Sequence, residues 1–534
     1  MEPSFTPTAA VHQTAGAWAT NGVNRVPPTH PTRFAPVPSD PVPSDPASGD
    51  TVSRRSALSP SGRDTVAAHL MAMPEAPLPP PAVSLPRPPM PTRQLSQLEA
   101  FLVLRRNPLE LWGKPAYEQL VLTGRFLGRE QILLNDPAAI RHVLVANHEN
   151  YRRNVGTWRV LQPLLGRGLF LAEGAPWRFQ RRTVAPALAP RTMPILARHV
   201  VAASEAKEAE LARVAGQAVE LMPHLQHLAL GIAGQSMFSL EMAGFGAELR
   251  ALLLRYAQKY AQPGLLDLLL PGAVPSPLDL GRGAFRAEWL RFIDRLIEAR
   301  ETNPPPEGRP RDLFDLLAAA RDPETGAGFG RAQLRDEVAT AILAGHETTA
   351  VALFWACYIA ARLPEQQERL AEEAASVDLS AENAAAALAR LPHTRAHVDE
   401  TLRLYPPAFL IVREAKEADA IAGHPVAPGT VVSVSPWVLH RHRALWTDPD
   451  RFDPARFLPG ATPHDRYAYM PFGTGPRICV GAQFALTEAV LVLARLMRAF
   501  RIRLVGRGTV VPRGFVTTQP DRPVRFVLTH RTGA

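Results

Sequence analysis

From Leu95 onward the apolar positions recur at helical spacing. Leu95, Leu98, Phe101, Leu102 and Val103 open the first such run, and the alanine- and glutamate-rich stretch 204–219 continues the pattern. Segment 333–363 is long and mostly apolar, with Gly345, His346, Glu347, Thr348 and Thr349 near its centre. A second dense apolar run covers 484–500. Charged residues inside 333–363, and no basic cluster after it, favour a long central helix over a membrane span. Short β-like runs stand at 131–134, 431–434 and 524–528, and no repeat of 20–50 residues is visible. The pattern predicts a mainly α protein with a small β portion. It is read as one large body over 95–534, although 534 residues alone would suggest three or four domains.

The first 94 residues differ. They carry 20 of the 54 prolines, a tandem Pro-Val-Pro-Ser-Asp and no strongly apolar periodic run. Such a stretch cannot bury enough surface to offset its ordering entropy, so 1–94 is expected to be a flexible extension. Equally open is that translation starts later, at Met71, Met73 or Met90. The start Met-Glu-Pro-Ser has neither the basic region nor the apolar core of a signal peptide.

Two cysteines, Cys357 and Cys479, cannot build a disulfide framework or a cysteine-rich zinc module, and they point to a cytoplasmic protein. The net charge of +9 comes from arginine, and the first 95 residues contribute about +1 of it. A basic body of this kind suits an acidic protein partner. Without a basic run interleaved with aromatics, nucleic acid is not an expected partner.

The sequence richest in chemistry is Pro471-Phe472-Gly473-Thr474-Gly475-Pro476-Arg477-Ile478-Cys479-Val480-Gly481. Gly473 and Gly475 permit tight turns and close approach to a flat ligand. Cys479 stands before an apolar helix, whose N-terminal N–H groups favour a thiolate, a good soft ligand for iron. The pattern Phe-Gly-x-Gly-x-Arg-x-Cys-x-Gly resembles the haem-binding loop of the cytochrome P-450 family. Its six fixed residues arise by chance on the order of 10⁻⁸ per window. Cys357, in Phe-Trp-Ala-Cys-Tyr, reads as an ordinary core thiol.

Ala344-Gly345-His346-Glu347-Thr348-Thr349 places polar groups in an apolar helix. Thr348 can bond back to the Ala344 carbonyl, and Gly345 leaves room beside the backbone. The hexapeptide resembles the family's oxygen-activation motif, which implies Thr348 and Glu347 as the catalytic pair. Glu400-x-x-Arg403, with Arg456 downstream, resembles the family's structural ion-pair triad. A rival zinc site on His393, His397 and Glu400 has suitable spacing, yet Glu400 cannot serve both arrangements. Trp177-x-x-x-Arg181, Arg413 and Arg477 resemble propionate partners, with Arg152 as a further candidate. Cofactor contacts are thus expected from Cys479, Arg477, Phe472, Gly473, Gly475, Gly481, Trp177, Arg181 and Arg413. By position relative to these motifs, Phe170, Thr340, Ala344, Ala408, Phe409 and Val516 are the substrate-pocket candidates.

The resemblance covers about 95–529. It implies haem b held by the Cys479 thiolate and insertion of one oxygen atom of O2 into a lipophilic molecule. No flavin or nicotinamide motif is present, so electrons are expected from a ferredoxin or flavodoxin with its reductase. Two other readings stay open: a haem-thiolate sensor or carrier without turnover, and a peroxide-driven oxygenase.

Overall fold

A computed structural model describes residues 85–239, 245–272, 274–302, 310–506 and 508–531. Of the extension, 1–84 lies outside the described residues. Residues 85–94 belong to the body: Leu85 is buried, the Pro86 carbonyl accepts from Tyr405 Oη at 2.8 Å, and Arg87 pairs with Asp450 at 3.0 Å. The folded body therefore reaches ten residues upstream of the expected boundary.

The helices that matter for the site are α1 (Gln97–Arg106), α2 (Val155–Leu165), α3 (Gly174–Val184), α4 (Met193–Ala212), α5 (Leu221–Phe238), α6 (Gly246–Lys259), α7 (Leu265–Leu269), α8 (Pro277–Glu301), α9 (Arg331–Arg362), α10 (Pro392–Leu404) and α11 (Ala482–Ala499). Strands β1 (Val121–Phe126), β2 (Arg129–Leu134), β3 (Tyr151–Arg152), β5 (Ile411–Ala415) and β6 (Val431–Val434) form one sheet in the order β1-β2-β6-β5-β3. Only β2 and β6 run parallel within it. A second sheet has the order β4-β10-β7, from β4 (Ala218–Glu220), β7 (Phe500–Leu504) and β10 (Arg525–His530). Strands β8 (Pro512–Gly514) and β9 (Thr518–Pro520) make a hairpin.

Helix α9 is the axis of the core. Gly345 is its one glycine and it holds no proline, and Pro364 ends it by opening the next helix. Thr349 to Ala360 are buried without a break. Trp355 stacks on Tyr405 with ring centroids 4.1 Å apart and donates Nε1–H to the Thr518 carbonyl at 2.6 Å. Although α9 is long and apolar enough to cross a membrane, 72% of its most apolar window is buried inside the protein, which makes it a core helix. Leu486 to Met497 of α11 are likewise buried, and Thr349 Oγ1 donates to Glu488 Oε2 at 3.4 Å where the two helices meet.

Two expectations about elements change. The helix read through 204–219 stops at Ala212, because Gly216 turns with φ +82° and Ala218–Glu220 pairs as a strand with Arg525–Val527. Tertiary pairing overrides the helical propensity of the local sequence. Helix α1 forms where predicted, with a capping box at Ser96 and Glu99, yet none of its residues is buried.

Candidate active site

The cysteine loop is held by backbone geometry. Gly473 and Gly475 have φ of +72° and +74°, and a Cβ on Gly475 would stand 2.2 Å from the Leu144 carbonyl oxygen. Only glycine satisfies both demands there. The Cys479 N–H donates to the Phe472 carbonyl at 2.9 Å, which closes the loop around the thiol. Phe472 itself packs, half-buried, against the main core. Gly481 caps α11, and its N–H donates to the Cys479 sulfur.

Cys479 is exposed by accessible area yet deeply surrounded by protein atoms. Protein atoms therefore crowd around the thiol while part of its surface stays open. Burial pushes this thiol up, against smaller opposing effects of the Gly481 N–H and Arg181. Burial here opposes the N-terminal N–H groups of α11, which favour the thiolate. Cys357 is fully buried, with its thiol pushed up to about 12.

Within the buried length of α9, Thr340, Ala341, Ala344, Gly345 and Thr348 form an open stripe at i, i+1, i+4, i+5 and i+8. Ala344 is exposed, and nothing lies within 4 Å of a Cβ placed on Gly345. Thr348 Oγ1 donates to the Ala344 carbonyl at 2.6 Å, and Thr340 Oγ1 to that of Asp336 at 2.7 Å. Glu347 turns aside from the stripe. Its carboxylate accepts from Gln519 Nε2 at 2.6 Å and Gln226 Nε2 at 3.3 Å, and burial pushes the carboxyl up. Thr349, next to the stripe, touches Glu488, so the stripe lies beside the helix that follows Cys479. Glu488 Oε1 is buried without a hydrogen-bond partner.

At one end of the site arginines gather with few acids. Trp177 and Arg181 stand one turn apart on α3; Arg181 Nη1 donates to the Ile478 carbonyl at 2.8 Å, and the Arg477 guanidinium lies 4.5 Å over the Trp177 ring. Arg477 also binds the Ala172 carbonyl and Glu173. Arg413, on β5, donates only to the neighbouring Val412 carbonyl, and burial with the nearby Arg477 lowers it to about 10. Arg153 is lowered further, to about 9, by burial, Arg413 and Arg477; it reaches Glu173 at 3.2 Å and covers the Phe170 ring at 4.7 Å. Of these four guanidiniums Arg153 and Arg477 share the Glu173 carboxylate, Arg181 and Arg413 pair with no carboxylate among the described residues, and a ligand with two carboxylates would complete them.

Arg153 was not among the predicted residues, and Arg152 was. Successive residues of an extended segment point to opposite faces, and Arg152 is spent on Glu414 at 2.7 Å, beside Arg129. Of the pocket candidates, Ala344 lies on the open stripe with half-buried Thr340, Ala408 and Val516 are exposed, and Phe170 sits under Arg153. Phe409 differs from these: it is buried in the main core and packs against Gly514.

The predicted ion-pair triad comes together. Arg403 and Glu400 are fully buried and paired at 2.7 and 2.8 Å, with Arg456 Nε 3.6 Å from the same carboxylate. This engagement removes the zinc alternative: Glu400 is taken, and His397 Nε2 bonds the Ala356 carbonyl at 3.1 Å. Among the described residues no group of three potential ligands is placed to hold a metal ion.

One buried acid near the stripe was not anticipated. Glu337 accepts the Leu169 N–H at 3.1 Å and is raised to about 8, mainly by burial. A folded pKa above the unfolded value means stability present at acid pH that is lost as pH rises through the folded pKa. Unfolding midpoints in urea are expected to fall between pH 5 and 8, and Glu337→Gln is expected to flatten that fall. An unchanged slope in the variant would assign the effect to another group.

An enclosed yet reachable thiol, an open helix stripe and an arginine cluster short of acids fit an iron porphyrin with two propionates. The comparisons agree. The family model described as Cytochrome P450 matches residues 116–522. A relative described as Cyclooctatin synthase, from Streptomyces melanosporofaciens, is 34% identical over 77% of this chain and 89% of its own. Cyclooctat-9-en-7-ol 5-monooxygenase of the same organism is 29% identical over 76% and 87%. The solved heme domain of cytochrome P450DA superposes with a TM-score of 0.69 at 23% identity, over 84% of this chain and 98% of that one.

The chain belongs to the cytochrome P450 family. It is a monooxygenase with haem b as its cofactor, and it draws on an electron donor.

Proposed function

We propose that the Cys479 sulfur would hold the haem iron and that this chain inserts one oxygen atom of O2 into a lipophilic organic substrate. The observation that carries the reading is the open stripe on α9 beside a thiol that is enclosed and still reachable. Haem, when bound, supplies the centre at which dioxygen is reduced and split. Arg153, Arg181, Arg413 and Arg477 would hold its carboxylates, and the glycines of the loop would leave it room beside the backbone. Thr348 keeps a hydroxyl on the stripe, and Glu347, whose carboxyl burial pushes up, stands on the far side of the same turn as a group that could pass a proton. The apolar residues of the stripe keep bulk water away from the reacting C–H bond.

The substrate is proposed to be largely hydrocarbon, in line with the alcohol that the 5-monooxygenase relative is named for. The donor is proposed to be a ferredoxin or flavodoxin acting in the cytoplasm, drawn by the basic body. Optical titration of the ferric protein with fatty acids, terpenoids and aromatics names the substrate class through its low-to-high-spin shift. With that substrate, Thr348→Ala is expected to lower product formed per O2 consumed by about a hundredfold while the binding shift is kept. Unchanged coupling would favour the peroxide-driven reading, and no shift with any ligand would favour a sensor or carrier.

A further inference from the structure

Three elements far apart in sequence meet at one carboxylate. Gln519 Nε2, on β9, donates to Glu347 Oε1 at 2.6 Å, and Gln226 Nε2, on α5, lies 3.3 and 3.4 Å from the two carboxylate oxygens. His346 Nδ1 stands 3.9 Å away, and burial lowers that imidazole to about 4, so it brings no charge at neutral pH. No arginine or lysine pairs with Glu347 among the described residues. A largely enclosed acid is thus held by neutral donors.

Both amides are fixed from behind. On β9, Thr518 is fully buried; its Oγ1 donates to the Pro406 carbonyl at 2.6 Å, and its own carbonyl accepts the Trp355 Nε1–H at 2.6 Å. Successive strand residues face opposite sides, so Gln519 is turned away from that core contact. The partner strand β8 is pinned as well. The Gly514 N–H donates to Asn107 Oδ1 at 2.9 Å, and Asn107 Nδ2 donates to the Pro512 carbonyl at 3.1 Å. A Cβ on Gly514 would stand 3.0 Å from the side chains of Phe409 and Pro108, so the hairpin lies close on its neighbours. On α5, Leu225, Leu228 and Ala229 are buried to either side of Gln226, and the His346 ring reaches the Gln226 backbone.

Neutral donors act on an acid differently from a cation. An amide N–H favours the ionised carboxylate by one hydrogen bond, whereas an arginine in its place would hold the group ionised by a larger margin. Burial acts in the opposite sense and is the largest influence on this carboxyl. Of the Glu347 side chain 20% stays exposed, which keeps the carboxyl within reach of water. The other charged or titratable groups on the packed elements are engaged elsewhere. His227 on α5 and Arg250 on α6 act on His346, and Glu488 on α11 accepts from Thr349. Arg513, opposite Gln519 in the hairpin, donates to the Arg106 carbonyl at 2.7 Å.

We propose that Gln519 and Gln226 are the positioning residues of Glu347, two neutral amides that direct its carboxylate away from the stripe and set how firmly it holds a proton. Gln519 carries the larger part, because its contact is the shorter. Their value to the reaction rests on the reading of Glu347 as the acid that serves Thr348; the amide clamp itself does not.

The test is an infrared pH titration of the haem-loaded full chain, in which the Glu347 carboxyl stretch is the band that Glu347→Gln removes. Gln519→Leu takes away a donor to the ionised form and is expected to move the midpoint up by about one pH unit, a tenfold gain in proton affinity. Gln519→Lys places a cation at the same point and is expected to move the midpoint down by about as much or more. Gln226→Leu is expected to move it up by less than Gln519→Leu does. Opposite shifts from two substitutions at one position are not what a loss of packing produces. Midpoints within about 0.2 units of the parent in both Gln519 variants, or shifts of the same sign, overturn the proposal. The pH profile of product formed per O2 consumed is expected to follow the infrared midpoints. A profile that stays in place while the midpoints move upholds the clamp and removes Glu347 from the reaction, which separates a failure of the functional reading from a failure of this one.

Discussion

Cys479→Ala is expected to abolish turnover and to remove the far-red-shifted Soret band of the reduced, carbon monoxide-bound protein. That band requires an anionic sulfur on iron, and of the two cysteines Cys479 is the exposed one, while Cys357 is fully buried in the core. The fold is expected to survive, because the loop is shaped by other contacts. Gly475 packs on the Leu144 carbonyl, Arg477 binds Ala172 and Glu173, and the Cys479 backbone N–H, which alanine keeps, bonds Phe472. Circular dichroism should therefore match the parent while the spectrum changes. Cys357→Ala serves as the control and should leave the band intact. A Cys479→Ala protein that retained the band would overturn the assignment of the ligand and the reaction built on it.

What could be read before the structure follows from how local each signal is. The cysteine loop was legible because its glycines answer local demands, a positive φ and an approach to a carbonyl, that no other residue meets. Helices α9 and α11 were legible because they are apolar on nearly every side, so no face had to be chosen. Glu400 and Arg403 lie three apart on one helix, a spacing that pairs them without knowledge of the rest of the chain.

Where a neighbour decides, the reading was less complete. Arg152 and Arg153 are adjacent in an extended segment, and only the pairing of β3 with β5 shows that Arg152 takes Glu414 while Arg153 turns to the arginine cluster. The end of α4 depends on a strand some 300 residues away, near Phe526. The apolar periodicity of α1 predicted its helix correctly, but the same periodicity cannot say whether the apolar face meets a core. Gln519 and Gln226, which hold Glu347, come from β9 and α5, and no pattern in the chain links them to it.

Glu400→Leu is expected to be the most destabilising of the substitutions considered, by about 3–5 kcal/mol. The cost arises from what is left behind. Arg403 has no exposed surface, and its guanidinium would keep the carbonyls of His440, Pro449 and Arg451, at 2.7, 2.7 and 2.9 Å, and the face of Trp446 at 5.1 Å, but no carboxylate at hydrogen-bond distance among the described residues. Carbonyl dipoles do not neutralise a buried charge. The damage also reaches the site. The Arg403 carbonyl receives His440 Nδ1–H at 3.1 Å, and His440 Nε2 accepts the Met470 N–H at 3.0 Å, immediately before Pro471 and Phe472. Loosening Arg403 therefore loosens the chain leading into the cysteine loop, and haem is expected to be lost at lower temperature together with the fold. Against a total stability of roughly 5–15 kcal/mol, much of the protein should fail to accumulate in holo form at growth temperature. Arg456→Ala should cost far less, since its Nε lies 3.6 Å from Glu400 and its other bonds go to the Thr447 and Asp448 carbonyls. Combining Glu400→Leu with Arg403→Met removes both charges and should recover part of the loss. Thermal melts followed at the Soret band and by circular dichroism decide the matter. A Glu400→Leu protein that melts within a degree or two of the parent would mean that this buried pair is not what secures the region beneath the cysteine loop.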